Sequence, residues 1–225
     1  MSEIRLLTYN IRALRDDAEA VSAVIRALSP DVVCVQEAPR FLRWRSKRAA
    51  IARKAGLVVA TANRPAGLML MTSLRAQVLS THFALLSKRP KLHQRAVCWA
   101  LLDVAGVQWR VASVHLSLSS DERQAHLPEL WSALGDDGPL VVAGDINEEP
   151  GGPVWTELGG RLVDAWELTR TGSGLTYSAV SPRKRIDAVF VDRSVEVVEC
   201  RVVDDVPGVE RASDHLPVLA VLRAT

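Results

Sequence analysis

The sequence predicts a single α/β domain over residues 1–225, in which helices cover mixed β-sheets. Its 225 residues suffice for one sizeable domain with a proper core. Short apolar runs first alternate with helical segments and then follow one another directly, which favours parallel as well as antiparallel strand pairs. We find no linker, repeat or low-complexity tract that divides the sequence.

Strands and helices alternate at the start of the sequence. Residues 4–10 (IRLLTYN) predict a strand, and residues 31–37 (DVVCVQE) predict a second, short apolar strand. Residues 16–30 combine helical periodicity with an acidic first turn and a final proline, which is typical of a helix. The basic segment at residues 39–54 predicts a further helix, ended by Gly56.

A block of strands follows. Apolar runs predict strands at residues 57–61, 68–73, 77–86, 96–104 and 107–117. The sequence DVAGVQ between the last two predicts a hairpin connection and therefore antiparallel pairing.

The remaining third returns to mixed elements. Residues 120–135 predict a capped amphipathic helix with a glycine after it. Residues 139–147 (PLVVAGDIN) predict a buried strand, and residues 148–182 a looser loop region. The last strands are predicted at residues 185–191, 195–203 and 217–223.

Composition is that of a soluble globular protein, and we expect a cytoplasmic location. The sequence is 48% hydrophobic and 24% charged, with a net charge of +2, so the whole molecule is no polycation. Cys34, Cys98 and Cys200 lie far apart without a CxxC pair, which indicates buried thiols rather than a zinc knuckle or a disulfide framework. No signal peptide is evident, and no apolar stretch reaches the roughly 18 residues of a transmembrane segment.

Basic residues are unevenly distributed. Residues 39–54 contain seven Lys or Arg and residues 87–95 contain four, and neither segment contains an acid. Two interpretations stay open: a solvated helix face, or a patch that meets an anionic substrate such as a phosphate backbone. Trp44 within the first segment either stacks on a base or packs against the domain.

A polar residue capable of binding a metal or a phosphate stands at the end of six predicted strands. Each alone has a structural explanation as a cap, a turn or an ion pair, and His115 alone as a satisfied core histidine. Open α/β sheets, however, bind ligands outside strand ends, so we expect the groups to converge on one site. Asn, Asp, Glu and His suit a hard divalent cation and a phosphate, which favours Mg²⁺. The residues are Asn10, Glu37, His115, Asp145, Asn147, Asp187, Asp214 and His215.

The motifs TYN, VQE, SVH, GDIN, RID and SDHLPV, in this order over the whole chain, resemble the endonuclease/exonuclease/phosphatase superfamily. That group includes deoxyribonuclease I, abasic endonucleases, sphingomyelinases, inositol polyphosphate phosphatases and deadenylases. The resemblance implies a four-layer α-β-β-α sandwich of two packed mixed β-sheets flanked by helices. It also implies metal-assisted hydrolysis of a phosphate ester.

The resemblance also implies a metal site. Glu37 matches the principal Mg²⁺ carboxylate, with Asn10 and Asp214 close to the ion. Mn²⁺ is the alternative cation. Abasic endonucleases of this superfamily carry the pattern N-x-D after the first strand. This chain reads NIR at the matching position, with Arg12 in place of the carboxylate. The number of metal ions, one or two, therefore stays open.

The remaining matches imply catalytic roles. Asp145 matches the residue that orients or deprotonates the attacking water, and Asn147 the one that hydrogen-bonds the phosphate or the nucleophile. His215 matches a phosphate ligand whose other ring nitrogen is held by Asp187. His115 matches a second donor or the acid for the leaving oxygen, at a position where abasic endonucleases tend to carry tyrosine.

The leading hypothesis is a Mg²⁺-dependent nucleic-acid phosphodiesterase, with Arg12, Arg40 and Trp44 as candidate substrate-binding residues. Arg12 lies either at a substrate phosphate or merely on the surface. The alternative is a phosphatase or lipid phosphodiesterase, similar to sphingomyelinases or inositol phosphate phosphatases, and peripheral membrane contact stays open with it. A non-enzymatic binding module is a third class. We expect a monomer whose partner is the phosphate-ester substrate.

Overall fold

The computed structural model describes residues 3–61, 65–135 and 139–224, which form two mixed six-stranded sheets and six helices. The strands are β1 (Glu3–Asn10), β2 (Val32–Gln36), β3 (Val58–Val59), β4 (Met69–Thr72), β5 (Ala76–Leu85), β6 (Ala96–Val104), β7 (Val107–His115), β8 (Leu140–Asp145), β9 (Val163–Asp164), β10 (Asp187–Val191), β11 (Val195–Val202) and β12 (Val218–Ala224).

Each sheet contains one parallel pair of strands. The first sheet has the order β11-β12-β1-β2-β4-β3, in which β1 and β2 are parallel and all other neighbours antiparallel. The second sheet has the order β5-β6-β7-β8-β10-β9, in which only β7 and β8 are parallel. The predicted hairpin is confirmed by the antiparallel pair β6 and β7.

Helices cover both outer faces of the stacked sheets. They are α1 (Ala18–Leu28), α2 (Trp44–Ala55), α3 (Ser120–Leu134), α4 (Pro153–Arg161), α5 (Ala165–Thr169) and α6 (Val209–Ala212). Helix α1 packs with α2 and α6, and α3 packs with α4. The predicted four-layer sandwich is therefore confirmed. Within the described ranges, no helix has the length and apolar character needed to cross a membrane.

The alternation of side chains along β8 divides the core in two. Val141 and Ala143 of β8 belong to the large apolar cluster between the sheets. Val142, which lies between them, belongs with Phe190 of β10 to a second cluster beneath α3 and α4. Successive side chains of a strand point to opposite faces, so a strand buried on both sides is apolar throughout. This explains why the PLVV segment contains no polar residue before Gly144.

Local signals account for the first helices. The carboxylate of Asp17 accepts the backbone N–H groups of Glu19 and Ala20 and so caps α1. Helix α2 ends at Gly56 in the left-handed conformation, as expected from the sequence. The predicted side-chain cap of α3 is absent, because Ser119 at its N-terminus makes no capping hydrogen bond.

The prediction of a loose loop over residues 148–182 is wrong. This stretch contains α4, β9 and α5. Buried Glu148 accepts the N–H groups of Val154 and Trp155 at 2.7 and 2.9 Å, which holds the start of α4. A carboxylate five residues before the helix replaces the usual adjacent cap, so the local signal for a helix start is missing.

Strand register aligns the polar strand ends. In the parallel pair β7 and β8, His115 lies opposite Asp145, and in the antiparallel pair β8 and β10, Asp145 lies opposite Asp187. In the first sheet, Asn10 lies opposite Gln36, so Glu37 follows at the same edge. The carboxyl ends of both parallel pairs thus contribute to one edge of the sandwich.

Candidate active site

A cavity of about 650 Å³ lies at this edge of the sandwich. Its lining includes three carboxylates, from Glu37, Asp145 and Asp214, and two of the predicted histidines, His115 and His215. With Asn147, six of the eight strand-end residues line this cavity, whereas Asn10 and Asp187 are not part of its lining. Both sheets contribute to the cavity, because Glu37 follows β2 whereas Asp145 ends β8.

Asp145 is the buried centre of the site. Its Oδ2 accepts the amide Nδ2 of Asn10 at 3.0 Å, and its Oδ1 accepts the backbone N–H of Asn147 at 2.9 Å. The Nε2 atoms of His115 and His215 lie 3.4 and 3.9 Å from Oδ2. Burial, together with the neighbouring negative charge of Asp187, raises the pKa of Asp145 to about 7. This carboxyl can therefore exchange a proton near neutral pH.

His215 and Asp187 form a buried pair. The ring Nδ1 of His215 lies 2.8 Å from Oδ2 of Asp187. Burial disfavours the charged imidazole, but the carboxylates of Asp187, Asp145 and Asp214 outweigh it and raise the pKa of His215 to about 9. At neutral pH His215 is therefore a cation. Its Nδ1 is bound to Asp187, and its Nε2–H is left for the cavity that the residue lines.

His115 has the opposite character. Burial and the nearby positive charges of Arg95 and His215 hold the pKa of His115 well below its usual range. Its imidazole is therefore neutral at pH 7 and can donate one hydrogen bond. The two histidines next to Asp145 thus carry different protonation states: Asp187 favours the charged form of His215, whereas burial and the positive charge of Arg95 keep His115 neutral.

Asn147 is held by the main chain. It adopts the left-handed conformation with φ of 55°, which asparagine tolerates better than most residues. Its Nδ2 donates to the carbonyl of Leu116 at 2.9 Å, and the residue lines the cavity. The spacing of Asp145 and Asn147 is therefore that of a turn in which the carboxylate of one accepts the N–H of the other.

Of the three predicted metal ligands, Glu37 fits best. Its carboxylate lines the cavity, and within residues 3–61, 65–135 and 139–224 no hydrogen bond or ion pair engages it. Its φ of 51° is a strained conformation for a glutamate. Asn10 is buried against Asp145, and its Oδ1 accepts the backbone N–H of Arg12 at 3.1 Å. Asp214 lines the cavity but pairs with Arg12 Nε at 3.2 Å.

A second group has the spacing of a metal site. Single ligand atoms of Asp145, Asp187 and His215 lie within 4.8 Å of one another. We assign no metal to this group, because a protonated imidazole offers no lone pair and the Nδ1 of His215 is already bound to Asp187. A hard, oxygen-binding cation such as Mg²⁺ or Mn²⁺ fits the unengaged carboxylate of Glu37 instead.

The structure separates the three predicted substrate-binding residues. Arg40 lines the cavity. Arg12 does not, and its guanidinium pairs with Asp16 at 3.1 Å as well as with Asp214. Trp44 lies outside the lining, half-buried at the start of α2, with Arg45 over its ring at 4.5 Å.

Sequence reasoning missed Arg95. It lines the cavity, is only 8% exposed, and its Nε is buried without a hydrogen-bond partner among the described residues. Burial lowers the pKa of the guanidinium, while Asp145 and Glu37 favour its charged form. His93 lines the same cavity. The signal available was that both residues end the basic segment immediately before β6.

Comparison with known proteins identifies the class. A sequence profile described as the Endonuclease/Exonuclease/phosphatase family matches residues 7–215. No curated protein matches the chain significantly by sequence. An endonuclease/exonuclease/phosphatase from Bacteroides vulgatus has a TM-score of 0.80 at 20% identity, with 100% of both chains covered.

Two further structures have described activities or ligands. The mannosyl-6-phosphatase Bt3783 of Bacteroides thetaiotaomicron has a TM-score of 0.79 at 17% identity, covering 98% of this chain and 99% of that one. The human nocturnin catalytic domain with bound sulfate has a TM-score of 0.77 at 19% identity, covering 99% and 95%. At these identities the likeness shows the fold alone.

The four-layer sandwich, with carboxylates and histidines gathered at one edge, defines the class of deoxyribonuclease I-like phosphoester hydrolases. With the profile covering residues 7–215, the chain belongs to the endonuclease/exonuclease/phosphatase family.

Proposed function

We propose that this chain is a Mg²⁺-dependent phosphodiesterase, with Mn²⁺ as the substitute cation and nucleic acid as the first candidate substrate. The proposal rests on one observation: Asp145, neutral His115 and charged His215 lie together at a cavity lined by arginine and lysine side chains. Such a set can activate water and hold a phosphate at the same place.

Asp145 takes the proton from the attacking water. Its pKa near 7 matches the requirement of a general base at neutral pH. Hydrogen bonds from Asn10 and the N–H of Asn147 fix the carboxylate, so its orientation is set before the substrate arrives. Asn147 at the cavity wall is placed to contact the water or a phosphate oxygen.

The phosphate is held by donors on two sides. Charged His215, oriented by Asp187, donates to one non-bridging oxygen, and neutral His115 donates from the other side of Asp145. A neutral imidazole is a poor acid, so we assign His115 as a hydrogen-bond donor to the phosphate. The leaving oxygen then takes its proton from solvent, and Asp145 returns to solvent the proton that it took from the attacking water. Arg95 supplies a further positive charge in the lining.

Glu37 would hold a divalent cation, with Asn10 and Asp214 as the other predicted ligands, and the cation would supply Lewis-acid stabilisation of the charge that develops on the phosphate. Glu37 is the residue we assign as its principal ligand, because its carboxylate faces the cavity unengaged. Arg12, which is tied to Asp214, positions that carboxylate rather than contacting the substrate.

Two substrate classes suit the lining. Nucleic acid is favoured by the basic residues Arg40, Lys47, Arg95 and Lys184 around the carboxylates. The second candidate is a lipid phosphodiester, and the observation that favours it is the set of exposed apolar side chains at the cavity mouth, among them Phe41 and Leu118.

A four-substrate assay tests the proposal. Purified protein with Mg²⁺ is incubated with supercoiled plasmid, single-stranded RNA, a sphingomyelin analogue and bis(4-nitrophenyl) phosphate, alongside EDTA and the Asp145→Ala variant. We expect Mg²⁺-dependent cleavage that both controls abolish, and elution as a monomer on size exclusion. Cleavage that survives EDTA or the loss of Asp145 contradicts the proposed mechanism.

A further inference from the structure

Exposed apolar side chains surround the mouth of the cavity. Phe41, Leu118 and Tyr177 all line the cavity, although they come from three different loops: after β2, after β7 and before β10. Phe41 and Leu118 are each 76% exposed. Large apolar side chains at such exposure gain nothing from the folded core.

Each of two loops carries a second apolar residue beside the first. Leu42 follows Phe41 and is 83% exposed, and Val180 in the loop of Tyr177 is 76% exposed. Val180 stays close to the mouth, because the N–H of the preceding Ala179 donates to the carbonyl of the cavity residue Asp214 at 2.8 Å. We name Phe41, Leu42, Leu118, Tyr177 and Val180 the apolar rim.

The apolar rim is interleaved with positive charge. Arg43, Arg45 and Lys47 are exposed immediately beyond Leu42, and Arg183 and Lys184 are exposed in the loop of Val180. Residues 39–54 contain no acidic residue. Apolar side chains flanked by lysine and arginine are the combination with which proteins bind the interface of an anionic lipid bilayer.

We propose that the apolar rim docks the mouth of the cavity onto an anionic lipid surface. The aliphatic residues of the apolar rim favour a membrane over nucleic acid as the partner. They are Leu42, Leu118 and Val180. Single-stranded nucleic acid stacks its bases on aromatic rings, whereas aliphatic side chains offer no stacking face. Three aliphatic residues beside Phe41 and Tyr177 match the acyl boundary of a bilayer, and the basic residues match its headgroups.

Docking in this orientation directs the catalytic edge at the headgroup layer. A phosphodiester of the bilayer, the second of the two candidate substrates, then reaches Asp145 without leaving the interface, and this consequence rests on the proposed phosphodiesterase activity. The docking itself does not depend on that activity, so the two are tested separately.

Vesicle co-sedimentation tests the docking. Wild-type protein and the variants Leu42→Ser and Leu42→Ser/Val180→Ser are sedimented with vesicles of phosphatidylcholine, with and without phosphatidylglycerol. Neither Leu42 nor Val180 lines the cavity, so both variants keep the candidate catalytic site. The matched control is Leu74→Ser, which removes a leucine that is 92% exposed. Ser73 and Arg75 beside it bond to Asp31, at the end of β2 opposite to Glu37.

We expect wild-type protein to bind vesicles that contain phosphatidylglycerol and to bind pure phosphatidylcholine more weakly. The double variant should bind at least about tenfold more weakly, because each apolar side chain contributes through the area it buries at the interface. Leu74→Ser should bind like wild type. Absence of wild-type binding, or equal binding by the double variant and Leu74→Ser, overturns the proposal.

Two parallel measurements separate the alternatives. A labelled single-stranded oligonucleotide that binds wild type and loses affinity in the double variant, when vesicles do not bind, assigns the rim to nucleic acid and overturns the lipid proposal. Turnover of bis(4-nitrophenyl) phosphate should be unchanged in both rim variants. Vesicle binding without any turnover by wild type supports the docking and contradicts the proposed phosphodiesterase.

Discussion

Asn10 donates its side-chain amide to Oδ2 of Asp145 at 3.0 Å, and this bond joins the two sheets of the sandwich. Asn10 ends β1 in the first sheet and Asp145 ends β8 in the second. The site therefore depends on how the sheets stack, and on the register within each sheet.

Gly144→Ala should prevent β8 from pairing with β7. A Cβ at Gly144 lies 2.0 Å from the carbonyl oxygen of Val114, a backbone atom that cannot move aside within the sheet. We expect a loss of more than about 4 kcal/mol in the free energy of unfolding, measured by urea denaturation, or failure to fold.

Gly159→Ala is the matched control for this substitution. Gly159 lies in α4, and a Cβ there meets no atom within 4 Å beyond the backbone of its own helix. Alanine in a helix interior is favoured over glycine by about 1 kcal/mol, so this variant should be at least as stable as wild type. Equal effects of the two substitutions would show that the clash at Gly144 is relieved elsewhere.

Glu37→Gln should abolish stabilisation by Mg²⁺. A cation that binds only the folded state at 100 times its dissociation constant adds about 2.7 kcal/mol of stability, which appears as a higher Tm. We expect this rise in wild type and its loss in Glu37→Gln, measured by thermal unfolding with Mg²⁺ and with EDTA. Glu157→Gln on α4, outside the cavity lining, should keep the full rise. A Mg²⁺-dependent rise in Tm that persists in Glu37→Gln would mean that residues other than Glu37 bind the metal.

Arg95→Gln should weaken substrate binding more than turnover. The guanidinium lines the cavity and its Nε lacks a partner among the described residues, so a substrate oxygen is its natural acceptor. Loss of one charge-assisted hydrogen bond corresponds to a KM about 10- to 100-fold higher. Steady-state kinetics on bis(4-nitrophenyl) phosphate measure it.

Arg110→Gln controls for the loss of any buried arginine. Arg110 lies near the start of β7, at the end opposite to His115, and donates to the carbonyl of Leu134. Its variant should lose stability and keep its KM. An unchanged KM in Arg95→Gln would remove Arg95 from the substrate-binding residues.

The metal-free protein should become less stable as the pH rises from 6.5 to 9. The pKa of His215 is raised from 6.5 to about 9, so its contribution is complete below pH 6.5 and lost as the pH passes the folded value. The change is on the order of 3 kcal/mol at most. Urea unfolding in EDTA at a series of pH values measures it.

Asp187→Asn tests whether the ion pair of His215 with Asp187 causes this pH dependence of the free energy of unfolding. Without the charge and the hydrogen bond of Asp187, the pKa of His215 falls, so the variant should show a flatter stability curve between pH 6.5 and 9. A wild-type curve that is flat or rises over this range, or an undiminished slope in Asp187→Asn, would be incompatible with the assignment.

Much of the fold could be predicted from local signals. The apolar runs marked most of the strands, and the acidic first turn and Gly56 marked α1 and α2. The prediction failed over residues 148–182, where Glu148 holds α4 from a distance. A contact of this kind depends on the path of the folded chain, so no fixed spacing of residue types in the sequence predicts the start of α4.

The sequence by itself predicted the candidate site residues at the strand ends, because apolar runs fix where strands end and each motif residue from Asn10 to His215 stands next to one. Only the tertiary structure decided how each side chain is paired, buried and charged. It ties Arg12 to Asp214, buries Arg95 at the cavity, and makes His115 neutral but His215 charged. The physical reason is that protonation and pairing depend on burial and on charges brought close by the stacking of two sheets, as between Asn10 and Asp145, 135 residues apart.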